Sequence, residues 1–120
     1  MLLSILMPVA LGFTELPQQR LAQGSCAAFL WTRTEAPVRI AMIDESALTL
    51  RLARGKRILD IARTGPGTYA GHGMTVKLNL EFVERQGLSD GALIESGVMR
   101  FDIAGQDSVS IPVGGIRACR

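Results

Sequence analysis

Strict alternation of apolar and polar residues is the strongest constraint on this chain. In "MTVKLNLEF", residues 74–82, Met74, Val76, Leu78, Leu80 and Phe82 take every second position, with Thr75, Lys77, Asn79 and Glu81 between them. Successive side chains of a strand point to opposite faces, so the run has one apolar face and one polar face. Helical spacing would scatter the polar residues around the axis. "ALTLRLAR" repeats the pattern with Leu48, Leu50 and Leu52 against Thr49, Arg51 and Ala53. A helix from Asp44 is the rival there, because Ala, Leu and Arg are good helix formers, and the alternation favours a strand.

Further strands are expected over "CAAFLWTR", "PVRIAMI", "KRILDIAR", "VMRFDI" and "SVSIPV". "ARGK" is expected to turn a hairpin and "AGQD", residues 104–107, another. Pro112 predicts an edge position or a strand end, because proline gives a sheet no N–H. "TGPGTYAGHG", residues 64–73, holds four glycines and a proline and reads as a loop; "RQGLSDGA" reads as a second loop, with room for one helical turn. About seven or eight short antiparallel strands in a single domain predict an all-β barrel or sandwich. At 48% hydrophobic and 20% charged residues the composition is that of a globular chain. Aromatic residues make up only 5%, so the core is expected to be aliphatic, with Trp31 packed into it.

The start of the chain is of another kind. Residues 2–13, "LLSILMPVALGF", carry no charge. They are too short to span a bilayer as a helix, which needs about 20 residues, and Pro8 interrupts them. They suit the apolar region of an export signal, roughly 7–15 residues long, although no Lys or Arg precedes them. Small residues at the −3 and −1 positions allow cleavage after Gly12 or after Gly24. Residues 1–24 are therefore read as an export signal or N-terminal segment, and 25–120 as the β domain.

Cys26 and Cys119 are the two cysteines. Lipidation of Cys26 is disfavoured by Gln23, where a lipoprotein signal typically has Leu. A zinc site would need more ligands close by, and His72, the sole histidine, is far from both cysteines in sequence. No motif couples His72 to Cys26 as base to nucleophile. The remaining reading is a disulfide joining the first and last strands of an exported domain. Its loop of about 94 residues is worth about 4–5 kcal/mol by chain entropy. Such a bridge would bring those strands together and close a barrel, removing its sheet edges.

Candidate binding residues are Gly67, Tyr69 and His72 in the Gly-rich segment, with Arg54 and Arg57 in a basic stretch where Arg51, Lys56 and Arg63 also fall. The segment is no phosphate loop, since no Lys-Ser/Thr follows. A net charge of +2 and the lack of interleaved aromatics argue against nucleic acid. The pairs Asp44–Glu45 and Glu81/Glu84 have ordinary turn or surface explanations, and Ser25, Ser89 and Ser96 lack a nucleophile-elbow context. No catalytic set, cofactor or metal is expected.

Around Gly67, Tyr69, Gly71 and Gly73 the segment "TGPGTYAGHGMTVKL" resembles the periplasmic lysozyme inhibitors of the C-type class. It differs in having Thr68, not Arg, before Tyr69, and in lacking that family's Trp-x-Lys-Gly-Asp run. The resemblance implies an exported disulfide-bonded β-barrel whose loop enters the lysozyme cleft. The function expected is that of a non-catalytic envelope protein, exported to the bacterial periplasm, that acts through an exposed Gly-rich loop on a protein or another envelope component. No transmembrane helix is expected in the mature protein. Lysozyme inhibition, a small-ligand-binding barrel and an enzyme without a visible motif are the alternatives.

Overall fold

A computed structural model describes residues 12–83 and 91–120. The chain is all β: β1 (Phe13–Thr14), β2 (Cys26–Thr32), β3 (Arg39–Asp44), β4 (Thr49–Arg54), β5 (Arg57–Gly65), β6 (Thr68–Gly71), β7 (Met74–Val83), β8 (Gly91–Ile103) and β9 (Val109–Cys119). From β2 onward each strand pairs antiparallel with the next, and β9 returns to β2, closing an eight-stranded barrel. The ninth strand, β1, adds to the end of β4 through Phe13↔Arg54 and Thr14↔Ala53. Among the described residues no helix is long and apolar enough to cross a membrane. The expected "RQGLSDGA" loop lies outside the described residues except for Gly91 and Ala92, which begin β8.

Alternation places the core. Cross-strand register sets Leu30, Ala41, Leu52 and Leu59 in one inward row and Ala28, Ile43, Leu50 and Ile61 in the next. Most of these side chains are buried, and they form one apolar cluster with Val76, Met99, Phe101, Ile111 and Val113. Ile94 and Met99 both face inward despite their odd spacing. The register shifts between Ile94 and Gly97, so β8 carries one extra residue there and its pleat is reset.

The seam between β2 and β9 runs from Cys26↔Cys119 to Thr32↔Val113. The Cys26–Cys119 disulfide crosses it at one end, between directly opposed residues with Cα atoms 4.0 Å apart. The bridge thus joins the first and last strands of the barrel, while β1 precedes both. Gly115 admits the close approach of the strands: a Cβ there would lie 1.8 Å from the Phe29 carbonyl oxygen. Pro112 sits within β9, but Thr32, the last residue of β2, is opposite Val113. On that side Pro112 faces the loop after β2, where its carbonyl accepts from Arg33 N–H at 3.0 Å. Its missing N–H therefore falls where the neighbouring strand has ended.

The Gly-rich segment differs from the expected long loop. It is the end of β5, a turn at Pro66–Gly67, the short strand β6, and a turn at His72–Gly73. The physical reason is that its glycines and His72 supply two tight turns and leave Thr68–Gly71 free to pair on both sides. Gly67, at φ 66°, follows Pro66 as a type II turn requires. His72 and Gly73, at φ 53° and 75°, form the two-residue hairpin turn with both central residues left-handed.

Residues that precede the domain start expected at 25 also pack against the barrel. Phe13 is 1% exposed and its ring centroid lies 4.8 Å from that of Phe101. Leu16 joins Ala27, Met42 and Ala53 in a second small cluster on the outer face of β2–β4. Leu16 N–H donates to the Arg39 carbonyl, and Arg39 Nε donates back to the Leu16 carbonyl, at 2.8 and 2.9 Å. Gln19 Oε1 accepts from Arg51 at 2.8 Å, and Arg51 also forms a bidentate pair with Asp60. Residues 13–24 thus run as an arm across the outside of the barrel. Of the apolar stretch read as an export signal, residues 1–11 lie outside the described residues.

Candidate functional site

The two ends of the barrel are occupied differently, and β7 shows where the change falls. Its inward residues run Met74, Val76, Leu78, Leu80 and Phe82; the first two are buried, the next two partly so, and Phe82 is 49% exposed. β5 follows the same trend, from buried Leu59 and Ile61 to exposed Arg63. The interior is filled at the Phe13 end and opens at the end that carries the disulfide.

A cavity of about 470 Å³ occupies that open end. Ala28, Ile43, Tyr69, Leu78 and Leu80 line it, with Ala28 and Tyr69 buried, and exposed Phe82, Arg63, Pro66 and Asn79 stand at its mouth with Gly67 and Glu45. Ala28 is the small member of its row beside Ile43, Leu50 and Ile61, and its size leaves volume inside the barrel. An eight-stranded barrel is wide enough either to be filled by its own side chains or to hold one small guest. This barrel does the first at one end and has space for the second at the other.

Directional bonds hold the open end in shape. Arg117 on β9 reaches over β2 to Glu45 in a bidentate ion pair at 2.6 and 2.8 Å. The pair raises the Arg117 pKa above the ordinary arginine value, chiefly through that hydrogen bond. Glu45 N–H donates to the Cys26 carbonyl at 3.1 Å. In the β3–β4 turn, Asp44 Oδ1 accepts from the N–H groups of Ser46 and Ala47, each at 3.0 Å. Gly67 completes the rim: its carbonyl accepts from Leu78 N–H at 2.7 Å, and a Cβ on it would stand 2.7 Å from the Leu78 carbonyl oxygen.

Tyr69 is 5% exposed and faces inward from β6, directly opposite Arg63 on β5. Burial pushes its phenol above the ordinary tyrosine range; the nearby Arg63 opposes that shift and Glu45 adds to it. The ion pairs among the described residues engage Arg51, Arg100 and Arg117, leaving Arg63 with no carboxylate partner there.

The residues singled out in the sequence divide between the ends. Gly67 and Tyr69 line the cavity. His72 occupies the turn at the opposite end of β6, beyond Tyr69 by about 10 Å of strand. Arg54 and Arg57 flank the β4–β5 turn, also at the closed end, where the Arg54 guanidinium lies 5.5 Å from the Phe13 ring centroid. The basic stretch is thus drawn out along β5, and only Arg63 reaches the cavity. Trp31 is half-buried on the outer face, with the Arg39 guanidinium 6.0 Å from its ring centroid, and is not part of the barrel core. Sequence reasoning missed Ala28, Ile43, Leu78, Leu80, Phe82 and Arg63 as site residues. The inward alternation of β7 and β5 was a signal for the last four; nothing local marked Ala28.

Among the described residues no three His, Cys, Asp or Glu side chains converge as metal ligands. Compared with protein-family models, curated proteins and solved structures, the chain matches none.

Proposed function

We propose that this protein is a non-catalytic, exported binding barrel that holds a small, largely apolar molecule in its open end. The observation that carries this reading is the cavity of about 470 Å³, walled by Ala28, Ile43, Leu78, Leu80 and Tyr69. It falls within the roughly 300–1,000 Å³ usual for small-molecule sites and has their mixture of an apolar wall and a few polar groups. Tyr69 supports a guest inside the barrel over insertion of a loop into a lysozyme cleft, because its ring already faces the interior. The test is titration with Nile red, an uncharged solvent-sensitive dye. Saturable enhancement of its emission is expected, with its weakening both in Ala28→Leu, which narrows the cavity, and in Leu80→Asn. Circular dichroism reports whether each variant folds. Absence of dye binding by the folded wild-type protein would remove the reading.

Export is supported by the disulfide, since such bonds persist in oxidising compartments. Of the two candidate cleavage sites, the one after Gly12 keeps Phe13 and Leu16, whereas the one after Gly24 discards both. The expected mature N-terminus is therefore Phe13. Mass spectrometry of protein from its native host checks this, and a chain beginning at Ser25 or retaining Met1 would contradict it.

A further inference from the structure

Resting on that reading, we infer that the guest is an amphiphilic anion: a hydrocarbon chain lies in the cavity and a single carboxylate or phosphate head meets Arg63 at the mouth. Three observations converge on this chemistry. Of the residues that line the cavity, Ala28, Ile43, Leu78 and Leu80 present aliphatic groups to a guest. The mouth is electrically lopsided: Glu45 is already bound by Arg117 in a bidentate pair, whereas Arg63 has no carboxylate partner among the described residues. Last, the position of Arg63 is built into the sheet. It continues the inward face of Leu59 and Ile61, and its register partner across the β5–β6 pair is Tyr69.

Directly opposed residues of an antiparallel pair present their side chains together on one face. A guanidinium and a phenol placed this way offer N–H and O–H donors toward the same volume. An oxyanion accepts from both, and a guanidinium binds it through a planar fork. The phenol remains a donor because burial keeps it protonated well above neutral pH. A neutral guest would leave Arg63 to water and gain nothing from its charge, and a cationic guest would be repelled by it.

Four probes of equal chain length separate the possibilities: decanoate, decyl phosphate, decanol and decylammonium, each displacing Nile red below its aggregation concentration. Both anions are expected to bind about tenfold or more tightly than decanol, which is about 1.4 kcal/mol, with decylammonium the weakest. The measured quantity is the ratio of anion to alcohol affinity within each protein. It should fall close to unity in Arg63→Gln and be partly restored in Arg63→Lys. The head that binds more tightly and loses more in Arg63→Gln identifies the source, a carboxylate or a phosphate. Dye binding with equal affinity for decanoate, decyl phosphate and decanol would overturn this inference and leave the binding barrel standing. So would an anion preference that survives Arg63→Gln. Failure of the dye itself to bind would overturn both.

Discussion

The closed and open ends of the barrel are built from the same eight strands but are stabilised in different ways. At the closed end Phe13 enters from the arm, lies beside the Phe101 ring and shares one buried cluster with Met74 and Val76, so cohesion comes from buried apolar surface. At the open end the inward positions give way to Arg63 and half-exposed Phe82, and the rim is held by the disulfide, the Arg117–Glu45 pair and the Asp44 turn. Packing needs apolar groups that meet across the interior, whereas the disulfide and the ion pair tie segments of the wall to one another directly. A barrel that keeps a cavity at one end must hold that end by its wall.

The largest expected effect tests that division at the seam. Replacing Cys26 and Cys119 together with Ser should cost about 4–5 kcal/mol by the chain-entropy model, read from urea denaturation of the oxidised parent and the variant. A cost below about 1 kcal/mol would mean that packing alone holds the open end. Next, Phe13→Ala should cost about 3 kcal/mol, because it removes a fully buried ring and leaves a void beside Phe101. An unchanged denaturation midpoint would show that the closed end is not sealed by the arm.

The third test is a titration. Tyr69 is the sole tyrosine, so tyrosinate absorbance reports on it alone. Its pKa is raised in the folded state by burial, so the neutral phenol is the form the fold prefers. The stability this contributes is fully present below the ordinary tyrosine value of about 10 and is lost as pH rises through the folded value. Stability should therefore fall with rising pH in that alkaline window, and Tyr69→Phe should flatten the fall. Phe82→Ala should have the smallest effect on stability, within about 0.5 kcal/mol, because the ring already stands half in solvent. Comparing it with Phe13→Ala sets one phenylalanine at each end against the other. Equal costs would erase the distinction between the ends.

The strands were legible wherever one face meets the core and the other meets water. β7 is the clearest case, and its alternation was visible over nine consecutive residues of its ten. Two kinds of strand were hidden. β6 has four residues, too few to display a period of two between its flanking turns. The second half of β9, Gly114–Cys119, breaks the pattern because Gly115 is dictated by backbone contact across the seam and not by the core. The arm was obscured because its apolar residues continue an apolar leader-like run, so Phe13 looked like part of that run. Of the site, Gly67 and Tyr69 stood out as unusual residues. Arg63 was visible only as one charge among several, because what distinguishes it is the inward parity of β5 and its opposition to Tyr69. Ala28 was invisible: a small residue makes a cavity only when larger ones surround it, and those come from other strands.

The β2–β9 seam has a consequence for the route by which the chain folds. It unites residues separated by 93 positions, so every intermediate hairpin can form while β2 still exposes an unpaired edge. Such topologies fold slowly, because distant partners must meet before their contacts repay the lost chain freedom. During that interval the open edge of β2, with apolar Phe29 and Leu30, is the segment most exposed to pairing with another molecule. Oxidation changes the order of events. A chain that keeps Cys26 joined to Cys119 starts with its ends already in register, and closure becomes an early step of refolding where the reduced chain must leave it to the last.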